Sequence, residues 1–142
     1  REFAVMMLDI DYFKSINDSY GHPAGDKVLV EIARRLRENL RAIDLVARIG
    51  GEEFMVAMPN TNNEQGHVAA DRLRKLISAR PFSLGSGQPE LNVTMSVGVA
   101  VGGLQRLNRI QIDTMCHHAD EALYAAKSAG RDKVAMSERL AS

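Results

Sequence analysis

The chain has little to make a disulfide from, no excess of charge and no long apolar run. One cysteine, Cys116, in 142 residues excludes an internal disulfide and fits a reducing compartment. A formal net charge of zero gives no sign of a surface built for nucleic acid or membrane. No apolar stretch approaches the ~18 residues that would span a bilayer, and no signal-peptide pattern opens the chain. Internal repeats and low-complexity segments are absent. His22, His67, His117 and His118 show no zinc-ligand spacing. What remains is ordinary for a globular domain: 45% apolar and 25% charged residues, enough chain for one domain with a substantial core. The sequence enters a strand-like run almost at once after Arg1, so we expect a piece of something longer.

Phe3-Ala4-Val5-Met6-Met7-Leu8 has the pattern of a central strand buried on both faces. Helical spacing follows Pro23, which suits a first turn: Leu29, Ile32, Ala33, Leu36 and Leu40 form its stripe. Residues 44–58 read as a hairpin. Thr61 with Glu64 is a capping-box signature for a second helix, with Val68, Ala69, Leu73, Leu76 and Ile77 inward. Pro81 and Gly85-Ser86-Gly87-Gln88-Pro89 mark a loop with room for a short strand at 82–84. Val93, Met95, Val97, Val99 and Val101 alternate as a half-buried strand that Gly102-Gly103 ends. A third helix fits 109–129, with Ile112, Met115, Ala119, Ala122, Leu123 and Ala126 inward and Gly130 as cap. A last strand falls within 132–136. Met6, Met7, Met55 and Met58 read as core filler.

The order β-α-β-β-α-β-α-β predicts an α+β fold, a ferredoxin-like βαββαβ core with helices on a mostly antiparallel sheet. The hairpin carries Arg48-Ile49-Gly50-Gly51-Glu52-Glu53-Phe54 between β-prone flanks. Adjacent acids at its tip repel each other unless a cation or substrate offsets their charge; a plain polar turn is the bland alternative. This topology lays the first strand beside the hairpin, so Asp9 should meet Glu52 and Glu53. Gly50 and Gly51 let phosphates approach the backbone and tolerate a positive φ, although an ordinary hairpin would use glycine too.

Three segments carry a family resemblance: Asp9-Ile10-Asp11-Tyr12-Phe13-Lys14-Ser15-Ile16-Asn17-Asp18, Gly21-His22-Pro23-Ala24-Gly25-Asp26 and Gly50-Gly51-Glu52-Glu53-Phe54. Together they resemble the signature of GGDEF-domain diguanylate cyclases, in which Glu at the third motif position is one of two common forms. Ser96-Val97-Gly98-Val99 and the stretch from Ala119 to Asp132 resemble the family's later strand and terminal helix. Arg41-Ala42-Ile43-Asp44 and Leu91-Asn92-Val93-Thr94 add a likeness to the PleD-type response-regulator cyclases. The likeness covers almost the whole chain. It implies one GGDEF domain over 1–142 that lacks the Asp-x-Leu-Thr-Gly-Leu-x-Asn-Arg segment usually found before the first strand.

The resemblance also implies a fold akin to class III nucleotide cyclases and the polymerase palm. The reaction it implies condenses two GTP into cyclic di-GMP with release of two pyrophosphates, in an antiparallel homodimer. Mg²⁺ is the implied cofactor, with Mn²⁺ able to substitute. Asp9, the Ile10 carbonyl, Glu52 and Glu53 would be its ligands, and Glu52 also the acceptor of the 3′-hydroxyl proton. Lys14 resembles the transition-state stabiliser. The main-chain amides at Tyr12 and Phe13 would cradle the triphosphate. Lys127 and Arg131 resemble the cations that grip the outer phosphates, though the macrodipole favours cations at a helix end in any case. Asn17 and Asp26 resemble the guanine readers; Asp26 can equally be a first-turn helix acid. Arg41, Asp44 and Arg72 match a site where cyclic di-GMP inhibits its own synthesis, with a helix-end arginine and a turn aspartate as the plain alternative.

An upstream receiver or sensory domain, a cytoplasmic location and no polymeric nucleic-acid partner complete what the resemblance implies. Two other classes compete: a non-catalytic module that senses GTP or cyclic di-GMP, and another class III-like nucleotidyl cyclase or palm enzyme. Retention of both hairpin acids argues against the first, and Asn17 with Asp26 against the second.

Overall fold

A computed structural model describes residues 2–103 and 108–138; the ends of the expected 1–142 domain and residues 104–107 lie outside it. The elements are β1 (Glu2–Ile10), α1 (Phe13–Tyr20), α2 (His22–Glu38), β2 (Leu45–Arg48), β3 (Glu53–Pro59), α3 (Asn63–Ser78), β4 (Met95–Gly103), α4 (Arg109–Ser128) and β5 (Val134–Met136). The sheet runs β2-β3-β1-β4-β5. β1 lies antiparallel to β3 and β4, β2 antiparallel to β3, and only β5 parallel to its neighbour β4. This is the expected α+β architecture with a βαββαβ core and the first strand in the centre.

Strand alternation splits β1 between two layers. Ala4, Met6, Leu8 and Ile10 join a core with Val28, Ile32 and Leu36 of α2 and Ala70, Leu73 and Ile77 of α3. Val5 and Met7 face the other way, onto Met115, Ala119 and Leu123 of α4. Each large side chain so buried contributes roughly 1.5–3 kcal/mol. β4 differs from expectation. It is buried on both faces through Gly102 because α4 covers the side that alternation assigned to solvent. Gly98 makes that close approach possible: a Cβ there would lie 2.2 Å from both the Ala119 carbonyl oxygen and the Leu123 nitrogen of α4.

Five local readings shift. α1 was not expected; it buries only Phe13 and so shows no apolar stripe to read. Leu40 lies beyond the end of α2. The cap of α3 is Asn62, in a reciprocal box with Gln65, not Thr61 with Glu64; Thr61 instead donates its hydroxyl to the Pro59 carbonyl. The buried stripe of α3 is Gly66, Ala69, Ala70, Leu73 and Ile77, which leaves Val68 61% exposed. At the loop, Phe82 and Leu91 form a single antiparallel bridge and no strand.

Candidate active site

β1 ends beside the start of β3, with Asp9 in register with Glu53, and the Ile10 N–H donates to the Glu52 carbonyl at 3.2 Å. Three acids therefore come together at one end of the sheet's central strands. Asp9 is 5% exposed, and Lys127 from the last turn of α4 donates to its Oδ2 at 2.6 Å. Burial pushes the Glu52 carboxyl above the usual carboxylate range, helped by the charge of Asp9 and a hydrogen bond with it. Burial likewise raises Glu53, followed by the charges of Asp9 and Asp120. Lys127 pulls both back toward ionisation. Asp120, one helical turn after Cys116, is also raised, mainly by burial; its place in this charge cluster was not read from the sequence.

The oxygen donors suit a hard divalent cation, and the buried Asp9–ammonium pair shows that the cluster holds positive charge. Among the described residues, however, no three His, Cys, Asp or Glu side chains stand close enough to chelate an ion as they are. Lys127 occupies Oδ2 of Asp9, one of that carboxylate's two oxygens.

Asp11, unremarked in the sequence, is the structural hub beneath this cluster. It is buried and accepts from Thr94 Oγ1 at 2.7 Å, Ser96 Oγ at 2.6 Å and the Asp132 N–H at 2.9 Å. Those bonds tie the β1–α1 junction to β4 and to the turn after α4. That turn runs through left-handed Gly130 (φ 117°), Arg131 (φ 63°) and Asp132 (φ 45°), a costly conformation that its contacts must hold. Arg74 of α3 helps by donating to Asp132 Oδ1 at 2.7 Å. The turn sets the Arg131 guanidinium 4.9 Å over the Tyr12 ring, and Tyr12, also left-handed, caps α1. Tyr12, Phe13, Lys127 and Arg131 thus gather at one junction, where the first-turn amides of α1 have no intrahelical acceptors.

At the hairpin tip neither Gly50 nor Gly51 has a positive φ, which corrects the conformational reason given for them. Open space is what Gly51 leaves, since an added Cβ there would meet nothing within 4 Å, whereas one at Gly50 would lie 3.4 Å from Glu53 Oε1. Arg48 secures the tip by donating to the carbonyls of Gly50 (3.1 Å) and Gly51 (2.8 Å). Lys14 is not drawn to the acids; it is exposed on α1 and paired with Asp18 at 2.8 Å. The Asn17 carboxamide oxygen is buried without a hydrogen-bond partner and lies against Gly25, where a Cβ would sit 1.9 Å from it. Asp26, one residue on, is exposed at the rim of a groove of about 620 Å³ between α2 and the loop at 80–85.

Arg41 and Asp44 face each other. The guanidinium donates to Asp44 Oδ1 at 2.8 Å and to the Pro59 carbonyl at 2.9 Å, while the Asp44 side chain is fully buried. Arg72 is exposed on α3 beside Val68, ten residues from the Asn62 cap and so about 15 Å along the helix.

A family profile described as "Diguanylate cyclase, GGDEF domain" matches residues 1–133. The chain is 44% identical over 131 residues to the Caulobacter vibrioides "Response regulator PleD", covering 92% of this chain and 28% of that protein. It is 45% identical over 133 residues to the Pseudomonas aeruginosa "Diguanylate cyclase DgcP", covering 94% of this chain and 19% of that one. Among solved structures, the GGDEF domain of Caulobacter crescentus DgcB in complex with c-di-GMP superposes with a TM-score of 0.87 at 30% identity, over 97% of this chain and 79% of that one. An α+β domain with an acid cluster at the end of its first strand is the class that fold and site define. This chain belongs to the GGDEF diguanylate cyclase family. It spans under a third of the length of these two curated relatives, and no helix among its described residues is long and apolar enough to cross a membrane.

Proposed function

We propose that this chain is the catalytic GGDEF domain of a diguanylate cyclase, joining two GTP molecules into cyclic di-GMP and releasing two pyrophosphates. The observation that carries the reading is the meeting of Asp9, Glu52 and Glu53 around a single ammonium. Acids crowded this way demand a cation, and such clusters mark functional sites.

Asp9, the Ile10 carbonyl, Glu52 and Glu53 would hold Mg²⁺, with Mn²⁺ as a substitute. When bound, such an ion neutralises phosphate charge and makes the 3′-hydroxyl more acidic. Glu52 takes the proton as the 3′-oxygen bonds to the α-phosphorus of the second GTP and pyrophosphate departs. A carboxyl raised by burial and by Asp9 is a stronger base than an ordinary carboxylate. The open amides around Tyr12 and Phe13 receive the triphosphate, the open space at Gly51 and the side-chain-free backbone of Gly50 let it close in, and Lys14, Lys127 and Arg131 supply positive charge. Asn17 turns its unpartnered oxygen to a guanine donor, and Asp26 accepts from the same edge. Leaving those acceptors unpaired under adenine would cost roughly 1–3 kcal/mol each.

Ring closure needs two domains face to face in an antiparallel dimer. Product would return to Arg41, Asp44 and Arg72 to inhibit; affinity for it in the family fits the DgcB structure, a complex with c-di-GMP. A receiver or other sensory domain upstream and a cytoplasmic setting belong to the same proposal. The test is to fuse the chain to a dimerising coiled coil, incubate it with GTP and Mg²⁺, and assay product by mass. Cyclic di-GMP should form with GTP and not with ATP; no product at high protein concentration contradicts the reading.

A further inference from the structure

We propose that Lys127 is the resident counter-ion of the acid cluster and competes with the divalent ion for Asp9, so that metal loads only when a triphosphate draws the ammonium away. The inference rests on the function proposed above and adds an order of binding to it.

Lys127 alone among the described residues makes an ion pair with any of the three acids, at 2.6 Å to a carboxylate 5% exposed. A divalent ion bound to this carboxylate would set a second positive charge against the ammonium, so its binding opposes a short, partly desolvated pair. The backbone beneath Lys127 is fixed. Gly130, Arg131 and Asp132 form a left-handed turn, bonded to Asp11 through the Asp132 N–H and to Arg74 through its carboxylate. The side chain, on a flexible four-carbon stem and 31% exposed, is free to swing while helix α4 stays in place. The neighbouring junction of Tyr12 and Arg131, where phosphates are proposed to sit, is its alternative anchor. Two ligands that each favour the lysine's departure from Asp9 bind with positive coupling. Lys127 is thus a positioning residue: it sets when the acids become available.

Mn²⁺ titration of the nucleotide-free chain, read by the electron paramagnetic resonance of the unbound aqueous ion, isolates this effect from metal bridging to phosphates. Lys127→Met should bind Mn²⁺ at least tenfold tighter than wild type. Arg131→Met removes the same charge four residues further on, without an ion pair to the acids, and should change affinity less than about twofold. An unchanged or weaker affinity in Lys127→Met, or an equal gain in Arg131→Met, overturns the proposal. Should Lys127→Met fail to fold by circular dichroism, the wild-type chain answers by NMR. Its Lys127 ammonium resonance, slowed in exchange by Asp9, should persist in Mg²⁺ alone and shift or vanish once a non-hydrolysable GTP analogue is added with Mg²⁺. Loss in Mg²⁺ alone, or a resonance that saturating Mg²⁺ and analogue together leave in place, overturns it. If Mn²⁺ binds neither alone nor with GTP, the metal site and the proposed function fail together. If it binds with GTP but Lys127→Met gains nothing without it, the competition alone fails.

Discussion

Two clusters of charge in this molecule are built on opposite plans. On α2, Glu31 lies between two guanidiniums, bonded to Arg34 Nη2 at 2.7 Å and Arg35 Nε at 2.7 Å. Arg34 first, with Arg35 assisting, holds its carboxyl down at about 2. Arg35 is buried and completes itself on the carbonyls of Ile77, Arg80 and Pro81 and on the Phe82 ring at 3.9 Å. At the end of β1 the count reverses, with carboxyls facing carboxyls across one ammonium, and Glu52 and Glu53 are pushed up. Satisfied charge locks helix to loop. Frustrated charge lowers the stability of the free domain and creates demand for a ligand.

The comparison breaks most visibly at Arg35. Arg35→Met should cost about 3 kcal/mol by leaving the carbonyls of Ile77, Arg80 and Pro81 without their donor, read as a loss of denaturation midpoint with no specific effect on nucleotide binding. At the frustrated cluster, Glu52→Gln should lower turnover of a dimerised form about a hundredfold or more and leave the melting temperature equal or higher. Should stability collapse instead, the acid belongs to the scaffold.

Smaller effects sharpen the contrast through pH. Glu31, depressed in the fold below its ordinary 4.5, contributes stability above that pH and loses it as pH falls toward about 2. Glu31→Gln should therefore cost about 1 kcal/mol at pH 7 and progressively less toward pH 2. Glu53 has the opposite sign. Its raised carboxyl binds more protons folded than unfolded, so its contribution is greatest below about 4.5 and is lost as pH climbs through the raised value. Glu53→Gln should raise the metal-free melting temperature at pH 7.5 by about 1–2 °C and change nothing at pH 4. An equal shift at both pH values would deny the crowding.

Much of this was legible in the sequence where the signal is local or carried by one pairing. The apolar run of β1 announced a central strand, and the Gly-Gly hairpin with its acids announced β2 and β3, so the convergence of Asp9 with Glu52 and Glu53 followed from topology. What escaped depends on distant partners or weak periodicity. Asp11 finds its acceptor role through Thr94, Ser96 and Asp132, which lie 83, 85 and 121 residues away. Arg35 reads as a polar-face residue of α2 until α3 and its following loop arrive. Thr61 and Asn62 are both good caps, each with a polar partner three residues on, and the choice fell to the one not engaged by Arg41 (3.1 Å from its Nη2 to Thr61 Oγ1). The small residues of β4 looked like a solvent side because a strand pattern does not show that a helix will lie on Gly98.

The most direct measurement is anomalous diffraction at the manganese edge from crystals of the chain grown with Mn²⁺ and a non-hydrolysable GTP analogue. A peak is expected at direct-coordination distance from oxygens of Asp9 and of Glu52 or Glu53, beside the triphosphate and with Lys127 withdrawn from Asp9. A nucleotide bound with no manganese at those carboxylates, or manganese bound elsewhere in the domain, would contradict it.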